Sequence, residues 1–164
     1  MTELTQYKLK QSLYYDRITG AFYWRNQVAA KMRPWEKAGM LNSDGYIQIR
    51  ICGKRYGAHH LAWLYMHGIL PTHVDHKNMV RTDNSINNLR PATQSQNNMN
   101  KGIQANSTTG FKGVHFCKRA LKFVARVGAN GKRKHLGVFD TPEEAHQAYI
   151  KAAGELHGQF ARFN

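Results

Sequence analysis

From Phe111 onward the chain carries a pattern that few folds satisfy, three short strand-like stretches followed by a helix with its own start signal. The stretches are Phe111–Phe116, Leu121–Val127 and Arg133–Phe139, with Ala129-Asn130-Gly131 as the turn between the last two. Thr141-Pro142-Glu143-Glu144 then reads as a capping box with proline at the first helical position. Ala145, Ala148, Tyr149, Ala152 and Leu156 recur at helical spacing and predict an apolar stripe buried on one face of the sheet. Strand alternation assigns the two faces. Val114, Phe123, Ala125, Val127, Leu136 and Val138 are expected toward the helix, and His115, Lys122, Arg126, Arg133 and His135 away from it.

The outward face is cationic. Eight Lys or Arg and no acid lie between Gly110 and Phe139. Residues 1–100 carry thirteen basic and six acidic side chains, and residues 101–164 carry eleven and four, so the shorter part is the more densely basic. A formal net charge of +14 calls for a polyanionic partner or a membrane surface. No apolar run approaches the roughly 18 residues of a membrane span, and the N-terminus has no signal-peptide core. Cys52 and Cys117 lie far apart and form no CxxC pair, which argues against a disulfide framework and a structural zinc site. The expectation is a cytoplasmic protein that meets nucleic acid, with no membrane partner.

Upstream, Leu13-Tyr14-Tyr15 and Phe22-Tyr23-Trp24 flank the turn-like Asp16–Gly20. Ile47, Ile49 and Ile51 alternate with Gln48 and Arg50 as in a half-buried strand. Gly53-Lys54 turns the chain back, and Leu61, Ala62, Leu64 and Tyr65 predict a short helix closed at Gly68. The polar stretch Lys101–Gly110 reads as a linker, giving domains at 1–100 and 111–164 joined by 101–110.

Between these parts, seven asparagines fall from Asn78 to Asn100, and Val74-Asp75-His76 sets a carboxylate beside an imidazole. Phosphodiester hydrolysis needs water deprotonated near neutral pH and a cation to hold charge at the leaving oxygen. Histidine, with an ordinary pKa of roughly 6.5, suits the first task. A carboxylate and an amide oxygen suit a hard cation such as Mg²⁺ for the second. The same residues also make an ordinary polar turn, so chemistry alone leaves both readings open. Geometry adds a condition. Neighbours on a regular strand face opposite ways, so Asp75 and His76 can serve one phosphate only where the strand ends, at or just after His76. Thr93-Gln94-Ser95-Gln96 fits a capping box that places Asn97 in the first turn of a helix.

Asp75-His76, Asp83-Asn84-Ser85-Ile86-Asn87-Asn88-Leu89-Arg90 and Gln96-Asn97-Asn98 resemble the HNH homing-endonuclease motif of phage and intron nucleases. Asn88 lies twelve positions after His76, and Asn97 nine positions after Asn88. His59-His60-Leu61-Ala62-Trp63 resembles the segment that precedes the motif, with His60 where arginine is usual. Thr19-Gly20, Tyr23-Trp24 and Gly45-Tyr46-Ile47 extend the likeness upstream. The resemblance implies a ββα-metal finger in which His76 is the general base. Asp75 and Asn97 would hold one divalent cation, Mg²⁺ ahead of Mn²⁺, and Asn88 would hold the loop and orient His76. Asn98 and Asn100 stand as alternatives for the metal role.

Residues 110–164 resemble the APETALA2-type DNA-binding domain through Phe111-Lys112-Gly113-Val114, Phe123–Val127, Leu136–Phe139 and Glu143–Ala153. That resemblance implies a sheet laid on duplex DNA, with His115, Arg126, Arg133 and His135 at its DNA-facing positions; His115 and His135 depart from the usual arginine and tryptophan.

The expected fold is α+β, a ββα-metal nuclease domain with a β-rich N-terminal extension, then a three-stranded antiparallel sheet plus helix. The expected function is metal-dependent cleavage of double-stranded DNA by a homing-type nickase, monomeric or weakly dimeric, with no small-molecule cofactor and in the host cytoplasm if phage-encoded. A non-catalytic DNA-binding regulator with a degenerate HNH fold is the main rival, and an RNA-directed protein the third.

Overall fold

A computed structural model describes residues 3–27, 33–103, 107–129 and 131–163. Asn130 of the expected turn, and residues 104–106 of the expected linker, lie outside the described residues. The fold is α+β and divides into two compact units, Met1–Thr93 and Gln94–Asn164.

The first unit opens with a helix that the sequence reading did not anticipate, α1 (Gln6–Ser12). Thr5 caps it by accepting the Lys8 N–H, and Leu9 anchors it in the core. Next come β1 (Leu13–Tyr15) and β2 (Phe22–Trp24), which pair antiparallel across the Asp16–Gly20 turn, with β3 (Lys37–Ala38) on the far side of β2. Asp16 stabilises that turn through the Ile18 N–H and the Thr19 hydroxyl. A second sheet has the order β4 (Met40–Leu41), β5 (Ile47–Ile51), β6 (Lys54–Gly57). Ile49 and Ile51 of β5 are buried and Arg50 is exposed, as the alternation predicts.

Helix α2 (Ala58–His67) follows β6 directly and ends where Gly68 adopts a left-handed conformation, its N–H bonded to Leu64. Leu61, Ala62 and Leu64 join Leu9, Leu13, Tyr15, Phe22 and Ile49 in one core. Burial of such side chains stabilises by about 1.5–3 kcal/mol for each large residue, so this core is what fixes the elements around the site. Two short strands complete the unit, β7 (Val74–His76) and β8 (Leu89–Pro91), paired antiparallel with Asp75 opposite Arg90 and His76 opposite Leu89. Helix α3 (Gln94–Asn100) follows β8 in the chain, so the order is strand, strand, helix.

In the second unit, β9 (Val114–Cys117), β10 (Lys122–Ala129) and β11 (Lys132–Phe139) form an antiparallel sheet with β10 central. Helix α4 (Pro142–His157) packs on it, started by Thr141, whose hydroxyl accepts the Glu144 N–H. Val114, Ala125 and Val127 are buried, and Phe123 packs in the same cluster as Val114 and Ala125. Val138 breaks the expectation: it is 49% exposed. The register slips between Ala125 and Arg126, which pair with Gly137 and His135, and leaves Leu136 as an extra residue. A bulge of this kind shifts the alternation by one, so Leu136 and Phe139 face the helix and Val138 turns out. On α4, Leu156 is exposed, and Ala153 and His157 take the buried positions at the end of the stripe. The His157 ring bonds the Gly128 carbonyl at 2.7 Å, which explains a polar residue there.

Candidate nuclease site

The strand carrying Asp75 and His76 ends at His76, and a turn begins at Lys77-Asn78. That is the strand end the pair requires. Both side chains are buried, at 8% and 5% exposure, which is unusual for a solvated polar turn. Asp75 is held across the ladder by Arg90, whose Nε and Nη2 both reach Oδ2, at 2.8 and 2.6 Å. The guanidinium supplies the charge that makes a buried carboxylate tolerable.

The loop from Lys77 to Asn88 is tied at both ends. The Lys77 N–H donates to the Asn88 carbonyl at 2.9 Å. The Asn88 side chain spans the loop: Oδ1 accepts the Asn78 N–H at 3.0 Å, and Nδ2 donates to the Asp83 carbonyl at 2.8 Å. Asp83 adds a second tie, accepting from Asn78 Nδ2, the Ser85 N–H and the Ser85 hydroxyl. The Ser85 hydroxyl is the leading reason its carboxyl lies below the ordinary range.

The ring of His76 is met by a residue that sequence reasoning passed over. Asn84 Oδ1 lies 3.1 Å from His76 Nε2, and Asn84 is completely buried. Its backbone carbonyl accepts the Tyr15 hydroxyl at 2.6 Å. Gly20, with φ +72°, presses against it so closely that a Cβ there would stand 2.3 Å from the Asn84 carbonyl carbon. The N-terminal hairpin therefore buttresses the loop. The signal in the sequence was Asn84 itself, one of seven asparagines and not separable from the others by spacing.

The His76 ring also lies near His59, ring centroids 5.1 Å apart at 64°, and near Tyr46 at 6.0 Å. His59 is buried, its Nδ1 has no hydrogen-bond partner, and its ring folds over Gly57, where a Cβ would come within 2.6 Å. Burial pushes the His59 pKa down to about 3, helped by the neighbouring His60 and His76. Burial also lowers His76, against the opposing pull of the Asn84 hydrogen bond and of Asp75. A neutral imidazole at ordinary pH is what a proton acceptor requires. His60 is lowered by burial as well, and its ring reaches the Thr72 carbonyl at 3.4 Å. His67 is exposed with its ring tilted against Trp63, and His73 is partly exposed and close enough to His60 to lower its pKa further.

Asn97 sits in the first turn of α3, in the second unit, and its Oδ1 is buried without a hydrogen-bond partner. A buried amide oxygen left unpaired costs about 1–3 kcal/mol, so it marks a position suited to an electropositive ligand. Asn98 is exposed and Asn100 is buried. Among the described residues no group of three or more His, Cys, Asp or Glu gathers as a metal cluster.

In the second unit, His115, Arg126 and Arg133 line one groove of about 840 Å³, together with Lys101, Lys112, Ser107 and Thr108. Lys101 and Lys112 were not among the expected contacts. The Lys112 ammonium donates to the Met99 carbonyl at 2.7 Å, and burial lowers its pKa to about 8. Lys122 lies outside this lining and pairs with Asp140 at 2.8 Å on the open surface. His135 is exposed and sits opposite Arg126 across the ladder. No helix of the described residues is long and apolar enough to cross a membrane.

The HNH endonuclease family model matches residues 56–99, which contain the α2 segment, both strands of the ladder and the start of α3. Protein 3.8 of Escherichia phage T7 is 31% identical over 107 residues, covering 64% of this chain and 88% of that protein. An uncharacterised HNH endonuclease, L560 of Acanthamoeba polyphaga mimivirus, is 32% identical over 126 residues, which are 76% of this chain. The match spans 65% of the mimivirus protein's length. Among solved structures, the HNH homing endonuclease I-HmuI, described for DNA binding and cleavage, aligns over 88% of this chain and 84% of its own, at 18% identity and a TM-score of 0.41. With the family's motif across 56–99 and a phage relative matched over most of its length, this chain belongs to the HNH endonuclease family and is a nuclease.

Proposed function

We propose that the protein is a metal-dependent endonuclease that nicks double-stranded DNA, with His76 as the general base. The observation that carries this reading is the buried His76 ring, hydrogen-bonded by Asn84 and adjacent to Asp75 at a strand end. His76 takes a proton from water as the water oxygen forms its bond to phosphorus; the bond from phosphorus to the leaving oxygen then breaks. Asp75 and Asn97 are the residues suited to hold a divalent cation, Mg²⁺ first and Mn²⁺ second. Their oxygens are hard donors, and the orphaned Asn97 Oδ1 is of the kind such an ion would satisfy. When bound, the ion supplies positive charge beside the scissile phosphate. Asn88 keeps the 77–88 loop closed and so holds Asn84 and His76 in register.

DNA is held by the second unit in this reading. Among the described residues, the lining of the groove that gathers Lys101, Lys112, His115, Arg126 and Arg133 has no acidic side chain, which suits a phosphate backbone. The strand–strand–strand–helix order supports the APETALA2-type resemblance, and His135, exposed beside Arg126, remains a base-contact candidate. Lys122, neutralised by Asp140, contributes least. Linking nuclease and reader raises the effective concentration of one at the other's site. With one His76 per chain, a monomer nicks one strand. The phage relative supports action in the cytoplasm of a host cell.

A plasmid-nicking assay with and without Mg²⁺ tests this directly. His76→Ala should abolish nicking and leave DNA affinity within about twofold. Retained cleavage would remove His76 as the base, and cleavage unaffected by chelation would remove the metal.

A further inference from the structure

We propose that the solvent face of the β1–β2–β3 sheet is a stacking platform for unpaired nucleotides of single-stranded DNA. Tyr14, Tyr23 and Trp35 supply the rings, and Arg25, Arg33 and Lys37 the charge. The choice of DNA as the nucleic acid rests on the endonuclease reading; the platform itself does not.

Strand alternation separates the two faces of this sheet. Leu13, Tyr15, Phe22, Trp24 and Ala38 are buried in the core of the first unit. Tyr14, Tyr23 and Lys37 therefore point the other way, and the register sets them in one row, Tyr14 opposite Tyr23 and Tyr23 opposite Lys37. The Tyr14 and Tyr23 ring centroids lie 6.4 Å apart, and Trp35 meets Tyr14 edge-on at 5.9 Å. Tyr14 is 40% exposed and Trp35 59%, so the cluster keeps much of its ring surface in solvent. Trp35 also sits in the left-handed region, at φ +65°, which is unfavourable for a bulky side chain. Its N–H is bonded to the Trp24 carbonyl at 2.6 Å, and the exposed indole gains little burial to offset the strain. Packing alone gives no reason for a tryptophan there.

Charge selects the partner. The Arg25 guanidinium lies 5.8 Å from the Tyr14 ring centroid, Lys37 ends the cross-strand row, and Arg33 stands two residues before Trp35. All three are exposed, and among the described residues none of them is drawn into an ion pair. The acid of the 33–38 stretch, Glu36, turns its carboxylate onto the Arg33 N–H at 3.0 Å and so closes its own turn. Open rings among free cations suit a chain of phosphates that carries flat bases. Intact duplex presents only base edges in its grooves, whereas an unpaired base offers a ring face. A nick lets a strand end leave the stack, so a nicking enzyme creates the ligand this face suits. The face belongs to the first unit, whereas the groove proposed for backbone contacts belongs to the second.

The test uses the full chain in EDTA with a fluorescently labelled oligothymidylate of about 12 nucleotides, read by anisotropy. Trp35→Ala should weaken binding by about tenfold, the loss of one base stacked on an aromatic ring. Trp35→Phe keeps a ring and should stay within about threefold of the unsubstituted protein. Affinity for a duplex of the same length should change by less than about twofold in both variants. Trp35 emission, taken as the difference between the unsubstituted protein and Trp35→Phe, should be quenched by the oligothymidylate, as stacking requires. Full oligothymidylate affinity in Trp35→Ala overturns the proposal, and so does an equal loss on the duplex. A loss confined to oligouridylate RNA overturns DNA as the ligand. If Trp35→Ala does not fold, the quenching decides, together with Arg25→Ala, which should lower the oligothymidylate salt slope by about one contact. If His76→Ala still nicks plasmid, the assigned base is wrong, and the Trp35 binding data still decide the stacking.

Discussion

Arg90 reaches Asp75 across the β7–β8 ladder with two guanidinium nitrogens on one carboxylate oxygen, at 2.8 and 2.6 Å, and both side chains are buried. The pair joins the two strands at the residue next to His76. Removing one partner of a buried pair leaves the other charge without compensation, which costs more than the pair itself contributes. Arg90→Ala should destabilise the first unit by about 3–5 kcal/mol in urea unfolding. A loss under about 1 kcal/mol would show that water reaches Asp75 readily.

The hairpin that backs Asn84 makes a second prediction. Gly20→Ala places a side chain in a left-handed conformation and drives its Cβ into the Asn84 backbone. It should cost more than about 1 kcal/mol, and the cleavage rate should fall further than stability at the assay temperature explains. Thermal unfolding and single-turnover rates, measured on the same preparation, separate the two effects.

Tyr15→Phe is the milder probe of the same contact. It removes the hydroxyl that donates to the Asn84 carbonyl and leaves a buried acceptor unpaired. Burial also pushes the Tyr15 pKa well up, so the hydroxyl stays a donor at every working pH. The expected loss is about 1–3 kcal/mol by denaturation.

His59 gives a pH dependence with a definite sign. Its folded pKa is down at about 3, from an ordinary value near 6.5 in the unfolded chain. Between those values the unfolded chain binds more protons, so the contribution to stability is full above about pH 6.5 and is lost as the pH falls toward 3. The melting temperature should therefore drop between about pH 7 and pH 5, above the range where carboxylates titrate. His59→Phe should flatten that part of the curve. An unchanged slope would show that His59 does not carry it.

The residues proposed to face DNA should separate by salt dependence. Arg126→Ala should lower the slope of log affinity against log salt by about one phosphate contact. Lys122→Ala should leave it unchanged, because Asp140 already neutralises that ammonium on the open surface. Equal effects from both would move the binding surface away from the groove.

Local chemistry made a good part of this protein legible before any coordinates. The Thr141 cap, the Gly68 helix end, the alternation of Ile49 and Ile51, and the strand end at His76 all lie where short-range rules place them. Those signals sit within a few residues of what they govern, and the spacing of Asp75-His76, Asn88 and Asn97 marks the motif in the same local way. Helix α1 was missed because its seven residues are too few for a clear period. Val138 was misplaced because a bulge depends on how two strands meet.

The site's wiring is likewise a matter of distant partners. Asn84 meets His76 eight residues back and Tyr15 sixty-nine residues back, and Arg90 meets Asp75 across fifteen. Seven asparagines offered the same amide, and only the closing of the loop onto the hairpin selected one of them for the ring. Local signals in the chain marked the residues able to do the chemistry and the ends of most elements, α1 excepted. Tertiary structure decided which amide holds His76 and which cation holds Asp75, because hydrogen bonds and ion pairs act over about 3 Å, a distance set by folding and not by position in the chain.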